Sequence, residues 1–447
     1  MDKKFRGKLL RLALPIAFQQ FLLALVSACD AVMLGGLNQD SLSAVSLASQ
    51  ITFVYNLILS ALLIGENMFV AQYYGKRDFQ GVRTSTGLVM RYVMITALCF
   101  MLATLIMPGQ LMRLFTGDKV LIAYGSRYLR YVGVSYVFSG ILQVLQGIMK
   151  NCGHVGRSTV LSVMVVGINV VLNALLIYGL AGFPKMEIAG AALATVLANG
   201  IGLGVAFGML VQERELRIRM SDMLCRNREI IKKFWKHVCP VLFNELAWGV
   251  GFTMYSVILG HMGGDAVAAN SIANITKNLL ICICTGFGYA GSIVVGNLLG
   301  DGRFQEAKKS GNVLCRISII SGVITGVCIL VLIPVILHFA NLTDTAHGYL
   351  GWMLAMSSYY VIGKSINSMI VAGIFPAGGD TRFGLRCDVI TMWCFAVPLG
   401  FVAAFVLKLP VLAVYFTLNL DEIVKLPAVF SHYKKYKWIN NLTEKEN

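Results

Sequence analysis

Asp30 lies in a run from residue 9 to 35 that is otherwise apolar apart from Arg11, Gln19, Gln20 and a few small residues. A charge at the centre of a membrane helix costs about 2.5–3.5 kcal/mol, so it stands there for a reason. Gln19 precedes Asp30 by eleven residues, about 20° away around a helix, and extends its polar stripe. In a low dielectric the neutral acid is favoured over the carboxylate, and a nearby Na⁺ or organic cation reverses that preference. Competition of this kind at one carboxyl is the chemistry of cation exchange. Asn169 and Asn173 sit one turn apart on a common helix face, as oxygen donors or as interhelical glue. Three further charges, Glu245, Lys277 and Lys364, fall inside apolar runs. Lys277 continues a polar face with Asn270, Asn274 and Asn278, and Lys364 shares one with Ser357, Asn367 and Ser368. Uncompensated buried charge is costly enough to predict that Glu245 faces at least one lysine, in a working cavity or a static ion pair.

These residues need membrane helices to hold them. The chain is 57% apolar and only 13% charged, about half the charge of a soluble domain. Such a composition excludes disorder, collagen, coiled coil and a disulfide scaffold, and supplies apolar residues for roughly a dozen spans of about 20 residues. Twelve apolar windows follow, near 9–35, 45–72, 88–110, 126–149, 158–183, 188–211, 237–261, 270–298, 313–339, 350–373, 385–408 and 410–430. The termini and even-numbered loops carry 27 Lys and Arg, and the odd-numbered loops 4, which places both termini in the cytoplasm and the chain in the cytoplasmic membrane. The net charge of +16 therefore reflects membrane anchoring, not a nucleic-acid surface. The eleven cysteines lie mostly in apolar runs without a CxxC pair and read as small hydrophobes. Glu66 is near enough its helix end to snorkel, and Arg91, Arg316 and Lys425 read as interfacial anchors.

The chain is also duplicated. At an offset of 225, Pro15 meets Pro240, Gly35 meets Gly260, Gly75 meets Gly300, and Phe79-Gln80 meets Phe304-Gln305. At an offset of 226, Gly147-Ile148 meets Gly373-Ile374 and Pro184 meets Pro410. The expected architecture is an all-α polytopic membrane protein of twelve transmembrane helices. They form two six-helix bundles related by a pseudo-two-fold axis along the membrane normal. Residues 1–211 form the first lobe, 212–236 a cytoplasmic linker, 237–430 the second lobe and 431–447 a cytoplasmic tail.

The stretch Asp30-Ala31-Val32-Met33-Leu34-Gly35 after Pro15 resembles the first-helix signature of the multidrug and toxic compound extrusion family. Pro240…Asn244-Glu245…Trp248…Gly260 resembles that family's seventh helix. Gln72-Tyr73-Tyr74-Gly75, Gly190-Ala191-Ala192-Leu193-Ala194-Thr195 and Gly378-Gly379-Asp380-Thr381-Arg382 fit as well. The resemblance covers essentially the whole chain and points to its bacterial DinF-like or NorM-like branch. It implies an exporter that exchanges inward Na⁺ or H⁺ for outward movement of small, often cationic, organic compounds, through two lobes rocking in alternation. By the same resemblance Asp30 is the coupling acid and the possible Na⁺ ligand, joined by Asn169, Asn173 and Thr195, while Glu245 is a second-lobe functional acid. Asn173 stands where an Asp is common in relatives, so coupling rests more heavily on Asp30. Lys364 adjoins Ser365, where some relatives carry another acid, so a built-in ammonium stands where they bind Na⁺. Gln19, Asn274, Tyr255 and Tyr360 are candidates to line the substrate cavity.

No cofactor is expected beyond the coupling ion, and the partners expected are small organic substrates and the bilayer, with a monomer as the working unit. An enzyme is disfavoured, because no HExxH or GxSxG occurs. Gly363-Lys364-Ser365 lacks the first glycine of a phosphate loop, Ser358 taking its place. The nearer alternative is a lipid-linked oligosaccharide flippase of the same superfamily, for which Lys277 and Lys364 speak and Asp30 and Glu245 do not.

Overall fold

The computed structural model describes residues 3–35, 39–211, 213, 216, 218–224, 228–340 and 342–444. Part of the expected linker, including Arg214, Arg217 and Arg226, lies outside the described residues, as does Lys445 in the tail. Among the described residues there is no strand. A backbone in lipid must satisfy its own hydrogen bonds, and a helix does this within one segment.

The long helices are α1 (Lys3–Gly35), α2 (Gln39–Gly75), α3 (Phe79–Ile106), α4 (Lys119–Asn151), α5 (Val155–Tyr178), α6 (Ile188–Val211) and α7 (Arg228–Gly260). They continue as α8 (Gly264–Gly300), α9 (Phe304–Phe339), α10 (Asp344–Ala377) and α11 (Thr381–Val406). These 11 are long and apolar enough to cross a membrane. The twelfth expected span is interrupted: α12 (Val411–Leu418), α13 (Asp421–Val424) and α14 (Leu426–Tyr433) follow one another with breaks at Asn419 and Lys425. Pro427 supports the last break, since it stands in the first turn of α14, where a proline's missing N–H costs no helical hydrogen bond. Asn419, Asp421, Glu422 and Lys425 are all buried at these breaks.

Packing divides the chain into two compact units, Leu22–Phe234, and Met1–Phe21 with Trp235–Asn447. In the first unit α2, α3 and α4 pack together, and α6 lies against α4 and α5. The α5–α6 contact depends on Gly190, where a Cβ would lie 2.5 Å from the Leu176 carbonyl oxygen. That close approach gives the Gly190-Ala191-Ala192 motif a physical reason. In the second unit α8, α9 and α10 form the corresponding trio. Wide π-type turns at Ile370–Ile374, Ile390–Ala396 and Val402–Val406 interrupt α10 and α11. The C-terminal segment does not hang free: Trp438 is fully buried and stacks on Tyr433 at 5.6 Å, and Leu442 is buried too.

Candidate functional site

In the first unit one chain of polar side chains links three helices. Asn173 Nδ2 donates to Asp30 Oδ1 at 2.6 Å and to Asn169 Oδ1 at 3.1 Å. Asn169 Nδ2 donates to Thr195 Oγ1 at 3.3 Å, and the Thr195 hydroxyl donates to the Ala191 carbonyl at 3.1 Å. The spacing of four along α5 turns both amides to the same side, and α1 and α6 bring the carboxylate and hydroxyl to opposite ends of the row. Tyr178 Oη donates to the Met33 carbonyl at 2.9 Å, tying the end of α1 to α5 beside Asp30. The Asn173 Oδ1 is buried and accepts no hydrogen bond from any described residue. The arrangement is rich in oxygen: a half-buried carboxylate, two amide oxygens and a hydroxyl. Those donors suit a hard cation such as Na⁺, and the carboxylate alone suits a proton. Gln19 is buried on α1, in the Met1–Phe21 stretch that belongs to the second unit.

In the second unit the buried charges form a network that sequence alone locates only in part. Lys364 Nζ lies 3.2 Å from Glu422 Oε1, and Lys425 Nζ lies 3.1 Å from Glu422 Oε2 and 2.8 Å from Asp388 Oδ1. Asn367 Nδ2 donates to Glu422 Oε2 at 2.7 Å, and Asn244 Nδ2 donates to Asp388 Oδ2 at 2.9 Å. Two ammoniums thus face two carboxylates, and amides fill remaining acceptor sites. The acid that meets Lys364 is therefore Glu422 rather than Glu245, because the breaks in the twelfth segment turn Glu422 inward. Glu245 on α7 lies instead near Tyr289 of α8. Lys425 is no interfacial anchor: it is 5% exposed at the centre of the network. Asp388, Glu422 and Lys425 carried one signal in the sequence, the i,i+3 pair Glu422–Lys425 between two apolar stretches.

Lys277 belongs to a separate pocket of the same unit. Its Nζ is 3.4 Å from Asn419 Oδ1 and sits 4.7 Å from the Tyr360 ring centroid and 5.7 Å from that of Tyr415. Lys364 Nζ lies 5.2 Å from the Trp248 ring centroid. Tyr255 Oη is buried without a hydrogen-bond partner among the described residues, and Asn274 is half-buried one turn before Lys277. Tyr360 thus serves an internal cation in this structure.

Two matched segments of the MatE family profile cover residues 15–175 and 240–402, beginning at the same two prolines as the internal repeat. The chain is similar to the uncharacterized transporter YisQ of Bacillus subtilis, 21% identical over 98% of this chain and 96% of that one. It is 22% identical to a probable multidrug resistance protein NorM of Thermotoga maritima, over 97% of this chain and 93% of that one. Among solved structures it matches a MOP superfamily transporter from Pyrococcus furiosus, described as having a binding pocket of reversed polarity that suggests a different function. That match has a TM-score of 0.88 at 18% identity over 99% of this chain and 97% of that one. Duplicated profile, twelve apolar segments in two bundles and full-length likeness agree, and the chain belongs to the MatE family, a multidrug and toxic compound extrusion transporter.

Proposed function

We propose that this transporter is a secondary active exporter that moves small organic compounds out of the cell in exchange for H⁺ or Na⁺ bound at Asp30. The observation that carries the reading is the Asp30–Asn173–Asn169–Thr195 chain, with its unused Asn173 Oδ1. Asn173 has no acidic proton to offer, so Asp30 is the one group in that row whose charge changes when a proton binds. The 27-to-4 division of basic loop residues supports cytoplasmic termini in the cytoplasmic membrane. The relatives' description as multidrug resistance proteins supports organic substrates. Glu245 on α7 remains a candidate second acid. The working unit is a monomer, and alternating access carries the substrate across.

The lysine-bearing second unit is the feature that favours the rival reading, a lipid-linked oligosaccharide flippase. Of Lys277, Lys364 and Lys425, the last two are already paired with Glu422 and Asp388, which leaves Lys277 for a diphosphate and favours the exchanger. The test is transport of a fluorescent organic cation by purified protein in liposomes, with a proton or Na⁺ gradient imposed separately. Wild type should respond to one gradient, and Asp30→Asn should insert normally yet lose the gradient-driven component. Gradient-driven movement that survives Asp30→Asn overturns the assignment of Asp30.

A further inference from the structure

Glu66 on α2 is not the snorkelling side chain that its position suggested. It is 1% exposed, and neither carboxylate oxygen has a hydrogen-bond partner among the described residues. The carboxylate fits because α4 places Gly147 opposite: a Cβ there would lie 2.3 Å from Glu66 Oε2. The titratable groups set against it are Lys150 and Cys152 from the end of α4 and its cap, and Lys150 is beyond ion-pairing distance in this structure. A bare buried carboxylate without donors is among the most expensive arrangements a protein interior can hold.

The fold does not require an acid here. Glu66 precedes Gly75 by nine residues, and in the second repeat the position nine before Gly300 is Gly291. There the same helix crossing is closed without charge: a Cβ on Gly291 would lie 2.8 Å from Met369 Sδ. The first repeat has therefore placed an acid, with the facing Gly147 as its pocket floor, where its twin packs a glycine against apolar Met369 and Leu314. The place along the lobe also differs from that of the first site. Asp30 is five residues, about 8 Å, from the α1 end that leads into α2, whereas Glu66 is 27 residues, about 40 Å, along α2 from that turn. The two carboxyls thus lie toward opposite ends of the first unit's helices.

We propose that Glu66 is a second proton-binding site of the first lobe, occupied by a proton in the conformation seen here and able to exchange that proton when Lys150 approaches. A proton needs only one carboxyl oxygen, while Na⁺ needs several oxygen ligands and would be repelled by the Lys150 ammonium. Protonation removes the cost of the isolated charge without a further partner, and movement of Lys150 to ion-pairing distance would stabilise the carboxylate instead. The proton site stands on the burial and on the comparison of the two repeats. Only its use in transport rests on the exchanger reading.

The test reads protonation directly, so its outcome is separate from that of the transport assay. Purified full-length protein carrying Asp30→Asn is titrated by infrared difference spectroscopy, with and without Glu66→Gln. The expected result is loss of one protonated-carboxyl carbonyl band on adding Glu66→Gln, with the melting temperature unchanged, because glutamine is a close isostere of the protonated acid. Lys150→Met alone should leave the band in place and prevent its loss at high pH. Identical spectra with and without Glu66→Gln overturn the proposal. So does a Glu66→Gln protein that fails to fold, or that melts lower and is rescued by Lys150→Met. Either of those last results means that Glu66 was an ionised partner of Lys150.

Discussion

Glu422→Gln tests the second-unit network most severely. Glu422 is 0% exposed and accepts contacts from Lys364, Lys425 and Asn367. At an effective dielectric near 20, an ion pair at 3.1 or 3.2 Å carries about 5 kcal/mol of attraction, most of it offset by the cost of removing both charges from water. The side chain of Lys364 is 23% accessible, so it can turn toward water and its share is discounted. Lys425 cannot do so, with its side chain 6% accessible. Replacement by glutamine keeps the shape and an acceptor for Asn367, and leaves Lys364 without its carboxylate partner while Lys425 keeps Asp388. The net loss should be about 3–5 kcal/mol, the range for breaking one side of a buried pair. Thermal unfolding of the detergent-purified protein, read by intrinsic tryptophan fluorescence, measures it. Adding Lys364→Met to Glu422→Gln removes the ammonium whose carboxylate partner was Glu422, while Lys425 keeps Asp388, and should recover part of the loss. Two results would refute the reasoning: a Glu422→Gln protein within about 0.5 kcal/mol of wild type, or a double variant no more stable than the single.

Asn173→Ala removes the one hydrogen-bond donor to Asp30 among the described residues and should cost about 1–3 kcal/mol in the same melt. In the liposome assay it should also weaken gradient-driven efflux while leaving passive leak unchanged, whereas wild-type efflux in the variant would remove Asn173 from the coupling row. Gly190→Val tests the close α5–α6 approach. A side chain placed 2.5 Å from the Leu176 carbonyl must push the helices apart at a cost of about 1–3 kcal/mol, visible as a lower melting temperature and absent for the control Gly204→Ala, whose surroundings are open.

The sequence alone determined the class of the protein and singled out the polar residues that meet in the first unit. Membrane helices satisfy their backbone hydrogen bonds within one segment, so each leaves a readable apolar stretch, and duplication leaves matched prolines and glycines at a fixed offset. Asp30, Asn169 and Asn173 were legible for a related reason, whereas Thr195 entered through the family resemblance. The first three are conspicuous in oil, and the helical period places the two amides on one face before any partner is known.

The second-unit charge network was decided by tertiary structure. Lys364 and Glu422 are 58 residues apart, and their meeting depends on how α10 is rotated and where the twelfth segment breaks. Neither quantity is written in local periodicity. An apolar window through 410–430 reads as one helix because breaks at Asn419 and Lys425 become favourable only once Lys277, Lys364 and Asp388 stand ready to receive the residues turned inward. The burial of Glu66 was hidden in the same way: distance from a helix end suggests water within reach, and only the packing of α4 closes it off. Local hydrogen bonding and hydropathy act along the chain and can be read there. Pairing of buried charges acts across it, through geometry that exists only after the helices have packed.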